Sequence, residues 1–182
     1  MPKKKKTTAK LIKKSNVEKN AIDVDIIIDT REQLPWSFKN IPSGISLRNT
    51  YIDTLSAGDY CLVGMSGEKN SQEFSVIVER KAKMEEFLGN IGTNWERFKK
   101  ELEKLSKFSR PVIIIEDDMS KAYARYKCRR GFFNLHPSFI LKRVAEIYVE
   151  YNIPVFFVSN RSTGEQLALS LFKRASVLDG AD

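Results

Sequence analysis

Histidine is nearly absent from this sequence, with one in 182 residues, and cysteine is rare, with two. Cys61 and Cys128 stand far apart and form neither a metal-ligand pair nor a disulfide framework, which sets aside zinc modules and disulfide scaffolds. Such usage fits a reducing compartment. The single imidazole, His136, precedes Pro137 and has no catalytic partner nearby in sequence, so it reads as a helix-starting residue rather than a general base. No apolar run approaches the roughly 18 residues of a membrane span, and residues 1–20 lack the apolar middle of a secretory signal. A soluble intracellular chain with no membrane partner is therefore expected, in cytoplasm or nucleus.

Apolar residues make up 42% of the chain and aromatics 10%, enough for one domain with a sizeable core. The formal charge of +8 is unevenly placed, because residues 1–20 hold eight lysines against one glutamate. Lys3, Lys4, Lys5 and Lys6 open a stretch without apolar periodicity, expected to be a disordered basic arm over 1–20 ahead of a folded unit over 21–182. Counterion release makes such an arm a source of salt-dependent, sequence-independent affinity for nucleic acid. A nuclear-import signal and a solubilising tail are the alternatives.

Val24 to Asp29 (VDIIID) is a β-branched run closed by a polar loop and Pro35, which predicts a buried strand ending at Asp29. Ile45 to Ile52 is a further candidate strand with irregular alternation. Tyr60 to Met65 and Phe74 to Glu79, joined by the polar stretch Ser66 to Asn70, predict an antiparallel pair. From Lys83 the period becomes helical: Met84, Phe87, Leu88 and Ile91 share one face, and Trp95, Phe98, Leu102 and Leu105 another, with a break near Gly92. Strands at Pro111 to Glu116 and Pro154 to Val158 then alternate with helices at Pro137 to Tyr151 and Ser162 to Lys173, the last with Leu167, Leu171 and Phe172 inward. This order implies an α/β core.

Successive strand side chains face opposite sides, so Glu79 and Lys81 share a face and Arg80 takes the other. Asp59, after Gly58 at the neighbouring strand, is placed to meet Glu79 beside the Lys81 ammonium. Magnesium suits such a site, since it takes a few carboxylates and completes its shell with water and phosphate oxygens; manganese is the alternative ion. Around it a phosphodiester hydrolysis can be written, with Lys81 orienting the attacking water or steadying developing charge. Asp29, Arg31 and Glu32, from another strand end, are candidates for the same edge, and Asp29 for a second ion. A lone Glu-Xaa-Lys is a common surface triplet, Gly58-Asp59 alone an ordinary turn, and Asp29 to Glu32 alone a helix cap. The combination is what points to chemistry.

Taken in order, these residues resemble the nuclease domain of the XPF-type structure-specific endonucleases, to which Mus-type and archaeal Hef nucleases are related. Ile27 to Glu32 is similar to the opening strand and D-x-R-E, Ser56 to Tyr60 to the G-D-Y, and Val78 to Lys81 to the E-R-K. Trp95 to Phe98 with Glu101 and Leu102 is similar to the R-F helix, and Ile113 to Glu116 to the strand after it. The resemblance spans about residues 24 to 170. It implies a restriction-endonuclease-like fold (PD-(D/E)XK), a mixed sheet flanked by helices, with divalent metal at Asp59 and Glu79, Lys81 as catalytic lysine, and Asp29, Arg31, Glu32 and Arg80 in support. Two departures stand out. Glu85 replaces the family's Asp four positions after Lys81, and nothing here resembles the tandem helix-hairpin-helix domains of many relatives.

Lys121, Tyr123, Arg125, Tyr126, Lys127, Arg129 and Arg130 interleave basic and aromatic side chains, suited to phosphates and unstacked bases, or equally to a solvated helix face. Trp95 lies on an apolar stripe and is expected in the core, whereas Trp36 is ambiguous. The resemblance also implies a homodimer, for which Phe132, Phe133 and the 137–151 helix offer apolar surface if it is not core, or a separate partner that supplies DNA-binding domains. The expected function is a magnesium-dependent endonuclease acting on branched DNA such as flaps, forks or Holliday junctions, in repair, recombination or replication. A non-catalytic DNA-binding module of the same fold and a general or restriction-type duplex nuclease are the competing readings. Inactive relatives lose the carboxylates or the lysine, and Asp59, Glu79 and Lys81 are all present.

Overall fold

Two-residue alternation sorts the apolar strand residues onto two faces, and helices cover both. The structure, a computed structural model, describes residues 21–63, 76–128 and 135–179, without the side chains of 125–128. Strands β1 (Ile22–Asp29), β2 (Ile45–Asp53), β3 (Tyr60–Leu62), β4 (Val76–Lys81), β5 (Arg110–Ile115) and β6 (Val155–Phe157) form one sheet in the order β2-β1-β3-β4-β5-β6. β3 is antiparallel to both β1 and β4, while β1–β2 and β4–β5–β6 are parallel pairings. The expected mixed sheet is therefore present.

On one face Ile27, Cys61, Ile77, Ile113 and Ile115 pack against α1 (Met84–Ile91), α2 (Trp95–Leu105) and α4 (Pro137–Tyr151) through Phe87, Phe98, Leu102 and Ile147. On the other, Ile26, Ile28, Tyr60, Val78, Val112 and Ile114 meet Trp36, Phe38 and the Leu169 and Phe172 of α5 (Arg161–Asp179). Each such fully buried side chain stabilises by roughly 1.5–3 kcal/mol. The parallel crossovers of β4 to β5 and β5 to β6 run through α1–α2 and through α3 (Met119–Cys128) with α4.

Local chemistry sets the helix ends. Asp117 accepts from the Met84 N–H at the start of α1 at 3.2 Å. His136 caps α4 as expected, its Nδ1 accepting from the Ser138 N–H at 3.2 Å with Pro137 in the first turn, and Asn152 ends the helix at φ 55°. α5 runs longer than the periodicity implied. Its inward stripe is Ala168, Leu169, Phe172 and Ala175, with Leu167 and Leu171 half-buried at the flanks. Small residues lead that stripe because the helix lies close to the sheet: a Cβ on Gly164 would come within 3.3 Å of the Glu116 Cγ. β2 is an edge strand with Asn49 to Ile52 exposed, which accounts for its irregular alternation.

Trp95 belongs to the core, edge-on to Phe98 and stacked under the Arg143 guanidinium at 4.0 Å. Trp36 is also buried, stacked on Tyr60 with ring centroids 4.2 Å apart. The arm with Lys3, Lys4, Lys5 and Lys6, the turn over 66–70, Arg129, Arg130, Phe132 and Phe133 lie outside the described residues. Among the described residues no helix is long and apolar enough to cross a membrane.

Candidate active site

The antiparallel placement of β3 between β1 and β4 brings its first residues to the carboxyl ends of both neighbours. Asp59 is pinned there by its backbone: its N–H donates to Val78 O at 2.8 Å, and its carbonyl accepts from the Asp29 N–H at 2.8 Å. The turn into it requires glycine. Gly58 has φ +70°, and a Cβ there would lie 2.6 Å from Ile77 Cγ1 and 3.1 Å from Val78 O. Gly58→Ala is therefore expected to cost about 1–3 kcal/mol, lowering Tm by roughly 2–12 °C in thermal unfolding; an unchanged Tm would contradict the close approach.

Glu79 and Lys81 point to the α1–α2 side, as strand alternation predicted. Lys81 Nζ lies 2.6 Å from Glu79 Oε1 and 3.4 Å from Glu86 Oε1, with the Phe98 ring beneath it at 5.6 Å. Asp59 enters the same cavity, its Oδ2 accepting from the Arg80 N–H at 2.7 Å. Arg80 faces the other side. Its guanidinium donates to both Glu116 oxygens at 2.9 and 2.7 Å, to Leu34 O at 3.1 Å and to Glu32 at 3.3 Å. Glu116 also accepts from the Trp36 indole N–H.

Asp29 is 2% exposed and surrounded by donors. One oxygen takes the Arg31 N–H and Nε at 2.7 Å each, and the other takes Arg31 Nη2 at 2.9 Å and the Leu55 N–H at 2.7 Å. With both oxygens occupied, Asp29 is placed to fix Arg31, and holding an ion would require it to release these donors. Arg31, its side chain 65% exposed, faces the cavity from that anchor. Glu32 accepts from the Leu34 N–H at 2.9 Å.

The electrostatics separate the carboxylates. Burial pushes Asp59 up to about 8, reinforced by the neighbouring Glu79 charge. Burial also raises Glu79, against the opposing pull of Lys81. Burial alone would lower the Lys81 ammonium, but Glu79 reverses this and holds it above its ordinary value. Asp29, although burial opposes it, is kept below its ordinary value by the Arg31 and backbone donors. Two half-buried carboxylates with one ammonium beside Glu79 form a donor set deficient in positive charge, which fits a divalent cation. Among the described residues no cluster of three or more His, Cys, Asp or Glu side chains is grouped to hold an ion, so water and substrate oxygens would complete its shell.

A cavity of about 400 Å³ contains this cluster and an adjoining one of about 260 Å³ continues it. Arg31, Asp59, Glu79 and Glu86 border both. Several contributors were not singled out from sequence. Glu86, rather than Glu85, reaches Lys81, and its other oxygen accepts from the Ala82 N–H at 3.3 Å. Arg97, Glu101 and Lys104 border the larger cavity from α2; Arg97 and Glu101 belong to the stretch that resembles the R-F helix but were not read as site residues, and Lys104 follows Glu101 at three-residue spacing. Glu116, beyond the end of β5, had no signal, since its partner Arg80 is 36 residues away. Lys121 pairs with Asp117, Tyr123 is 40% exposed, and neither borders the cavities; Arg125, Tyr126 and Lys127 lie on α3 with side chains outside the description.

Sheet order and flanking helices define a single α/β domain of restriction-endonuclease-like fold. Solved structures that share that fold include two of XPF. XPF from Aeropyrum pernix in complex with DNA superimposes with a TM-score of 0.56 at 21% identity, covering 85% of this chain and 66% of that one. The structure titled XPF from Aeropyrum pernix gives 0.56 at 20% identity, covering 87% and 64%. This chain thus spans about two thirds of the length of the chains it matches. No curated protein sequence matches it. A family profile for the ERCC4 domain matches residues 28–169, and the chain belongs to that family, as an XPF-type nuclease domain.

Proposed function

We propose that this chain is a divalent-metal-dependent DNA endonuclease acting on branched DNA, with its reaction centre at Asp59, Glu79 and Lys81. The observation that carries the reading is the Lys81 ammonium held 2.6 Å from the half-buried Glu79 carboxylate, in the cavity that Asp59 also enters. That pairing keeps a cation next to the point where two oxygen ligands converge. Bound there by Asp59 and Glu79, magnesium or manganese would supply Lewis-acid polarisation of a phosphodiester and an acidified water. Lys81 steadies charge on the phosphoryl oxygens as water adds and the ester P–O bond breaks. Arg31, clamped by Asp29, presents the rest of its guanidinium to the same phosphate. Arg80 acts one step removed, since its N–H sets the Asp59 carboxylate and its side chain ties β4 to Glu116.

Cleavage of labelled duplex, flap, fork and Holliday-junction DNA with magnesium or manganese tests the reading. Preferential cutting of a branched substrate, lost when metal is chelated, is the expected result. Binding without cutting would favour a non-catalytic module, and equal cutting of plain duplex a general nuclease.

The basic arm over 1–20 is proposed to add phosphate contacts. Its removal is expected to flatten the slope of log K against log salt by at least about 2, at roughly 0.9 per phosphate lost on duplex DNA. An unaltered slope in anisotropy titrations would refute that role.

A further inference from the structure

The reaction centre lies where two largely polar cavities meet, and the smaller one carries an exposed leucine on its lining. Arg31, Asp59, Glu79 and Glu86 border both, so a strand whose phosphate sits at the metal-binding carboxylates must extend into each. The larger cavity is walled by α2, where Arg97 and Lys104 fall seven residues apart on one helix face. Lys100 lies between them within the same arc. Among the described residues Arg97 pairs with Glu101, at 3.8 Å and with the two side chains 70% and 40% exposed, an ion pair weak enough to yield to phosphate.

The smaller cavity ends on Leu34, 70% exposed. A leucine so exposed is ordinary on a surface, but this one is rigidly mounted. Its N–H donates to Glu32 Oε1 at 2.9 Å, and its carbonyl accepts from Arg80 at 3.1 Å and Arg161 at 2.9 Å. Pro35 follows with its fixed φ, and its carbonyl also accepts from Arg161. Arg80 and Glu32 thus bind the Leu34 peptide to the frame that sets Asp59. Such an arrangement holds a largely exposed apolar side chain at a set place beside the reaction centre.

We propose that the cleaved strand runs through both cavities, with Arg97 and Lys104 holding backbone phosphates on one side and Leu34 packing against an unstacked base on the other. The inference rests on the endonuclease reading above and names its selectivity device. A base in duplex stacks on its neighbours and offers only its edges, whereas an unpaired base at a branch offers a face to Leu34. A substrate with paired and unpaired segments meeting near the cleaved phosphate fills both cavities, and plain duplex fills the phosphate side alone.

The test uses the full chain with calcium in place of magnesium and forked DNA bearing 2-aminopurine at the first unpaired positions. The parent is expected to brighten the fluorophore on binding. Leu34→Ala is expected to lose that signal at saturating protein and to lose about tenfold more affinity for fork than for duplex, as for partial loss of one leucine contact; Leu34→Met restores both. Its Tm should match the parent's, because the side chain is exposed. Arg97→Gln and Lys104→Gln should weaken fork and duplex alike and lower the salt slope by about 1 each. A parent-like signal and selectivity in Leu34→Ala would overturn the base contact, and unchanged salt slopes the phosphate path, while leaving the endonuclease reading intact. A parent that binds neither DNA overturns both.

Discussion

Asp59→Asn is expected to cut branched DNA at least about 100-fold more slowly than the parent while making the metal-free protein more stable at pH 8. The two effects have one cause. The carboxylate sits half-buried beside Glu79, where the proposed cation would balance it, and without a cation its charge is unfavourable. Its folded value of about 8 lies far above the ordinary 3.8. Between those values the folded chain keeps a proton that the unfolded chain has released, so the stability this group lends is full below about pH 4 and is lost as pH rises through 8. The asparagine variant lacks that loss. A gain of about 2 kcal/mol, or roughly 4–8 °C in Tm, is expected at pH 8, shrinking towards pH 5. Magnesium should then raise the parent's Tm and leave the variant's nearly unmoved. Glu79→Gln and Lys81→Met should show comparable losses of cleavage. Parent-like cleavage by all three variants would sink the assignment of the reaction centre, and a lower Tm for Asp59→Asn at pH 8 would sink the electrostatic account.

Arg80→Met should be the most destabilising change at the site, by about 3–5 kcal/mol, because it strands a buried carboxylate. Glu116 and Arg80 have side chains only 4% exposed, and their bidentate pair joins the end of β4 to the residue after β5. Remove the guanidinium and Glu116 keeps the Trp36 indole N–H as a donor, which leaves most of the charge uncompensated. Adding Glu116→Gln should recover most of the loss, since the amide keeps an acceptor for Trp36 and carries no charge. Urea unfolding of both variants decides this. An Arg80→Met variant within about 1 kcal/mol of the parent would contradict the account of Arg80 as the clamp on the Glu116 charge.

Much of the fold was legible in the residues. VDIIID, the run over 76–79 and PVIII read as strands because apolar β-branched stretches of that length have few other uses, and Met84 to Leu105 read as two helices because the period changes at Lys83. The split of Glu79 and Lys81 from Arg80 followed from alternation alone. The opposite destinations of those side chains, towards α2 and towards Glu116, are what that rule implies. Leu167 and Leu171 of α5 were less legible, because hydrophobicity marks a broad arc and the close approach at Gly164 selects its small-residue edge.

Helix phase decided the acidic partner of Lys81. Glu85 is the residue that family spacing marks, yet the first turn of α1 starts at Met84, anchored by Asp117, and this rotation carries Glu86 over the ammonium. Nothing local distinguishes the two glutamates. The same holds for Arg97 and Lys104, whose charges are unremarkable on a solvated helix until the packing of Phe98 and Leu102 against the sheet turns them to the cavity rim.

By itself, then, the sequence determined the strands, the helices and the order of the acidic and basic residues at the strand ends, because short-range sterics and periodicity govern all of these. Only the tertiary structure decided which charges meet: Asp29 with Arg31 and Leu55, Arg80 with Glu116, Lys81 with Glu86, and Leu34 beside the carboxylates. Arg80 with Glu116, Asp29 with Leu55 and Leu34 beside the carboxylates join residues distant in the chain, whereas Asp29 with Arg31 and Lys81 with Glu86 are near neighbours turned together by the local frame. They depend on strand pairing and helix rotation, which no local pattern encodes.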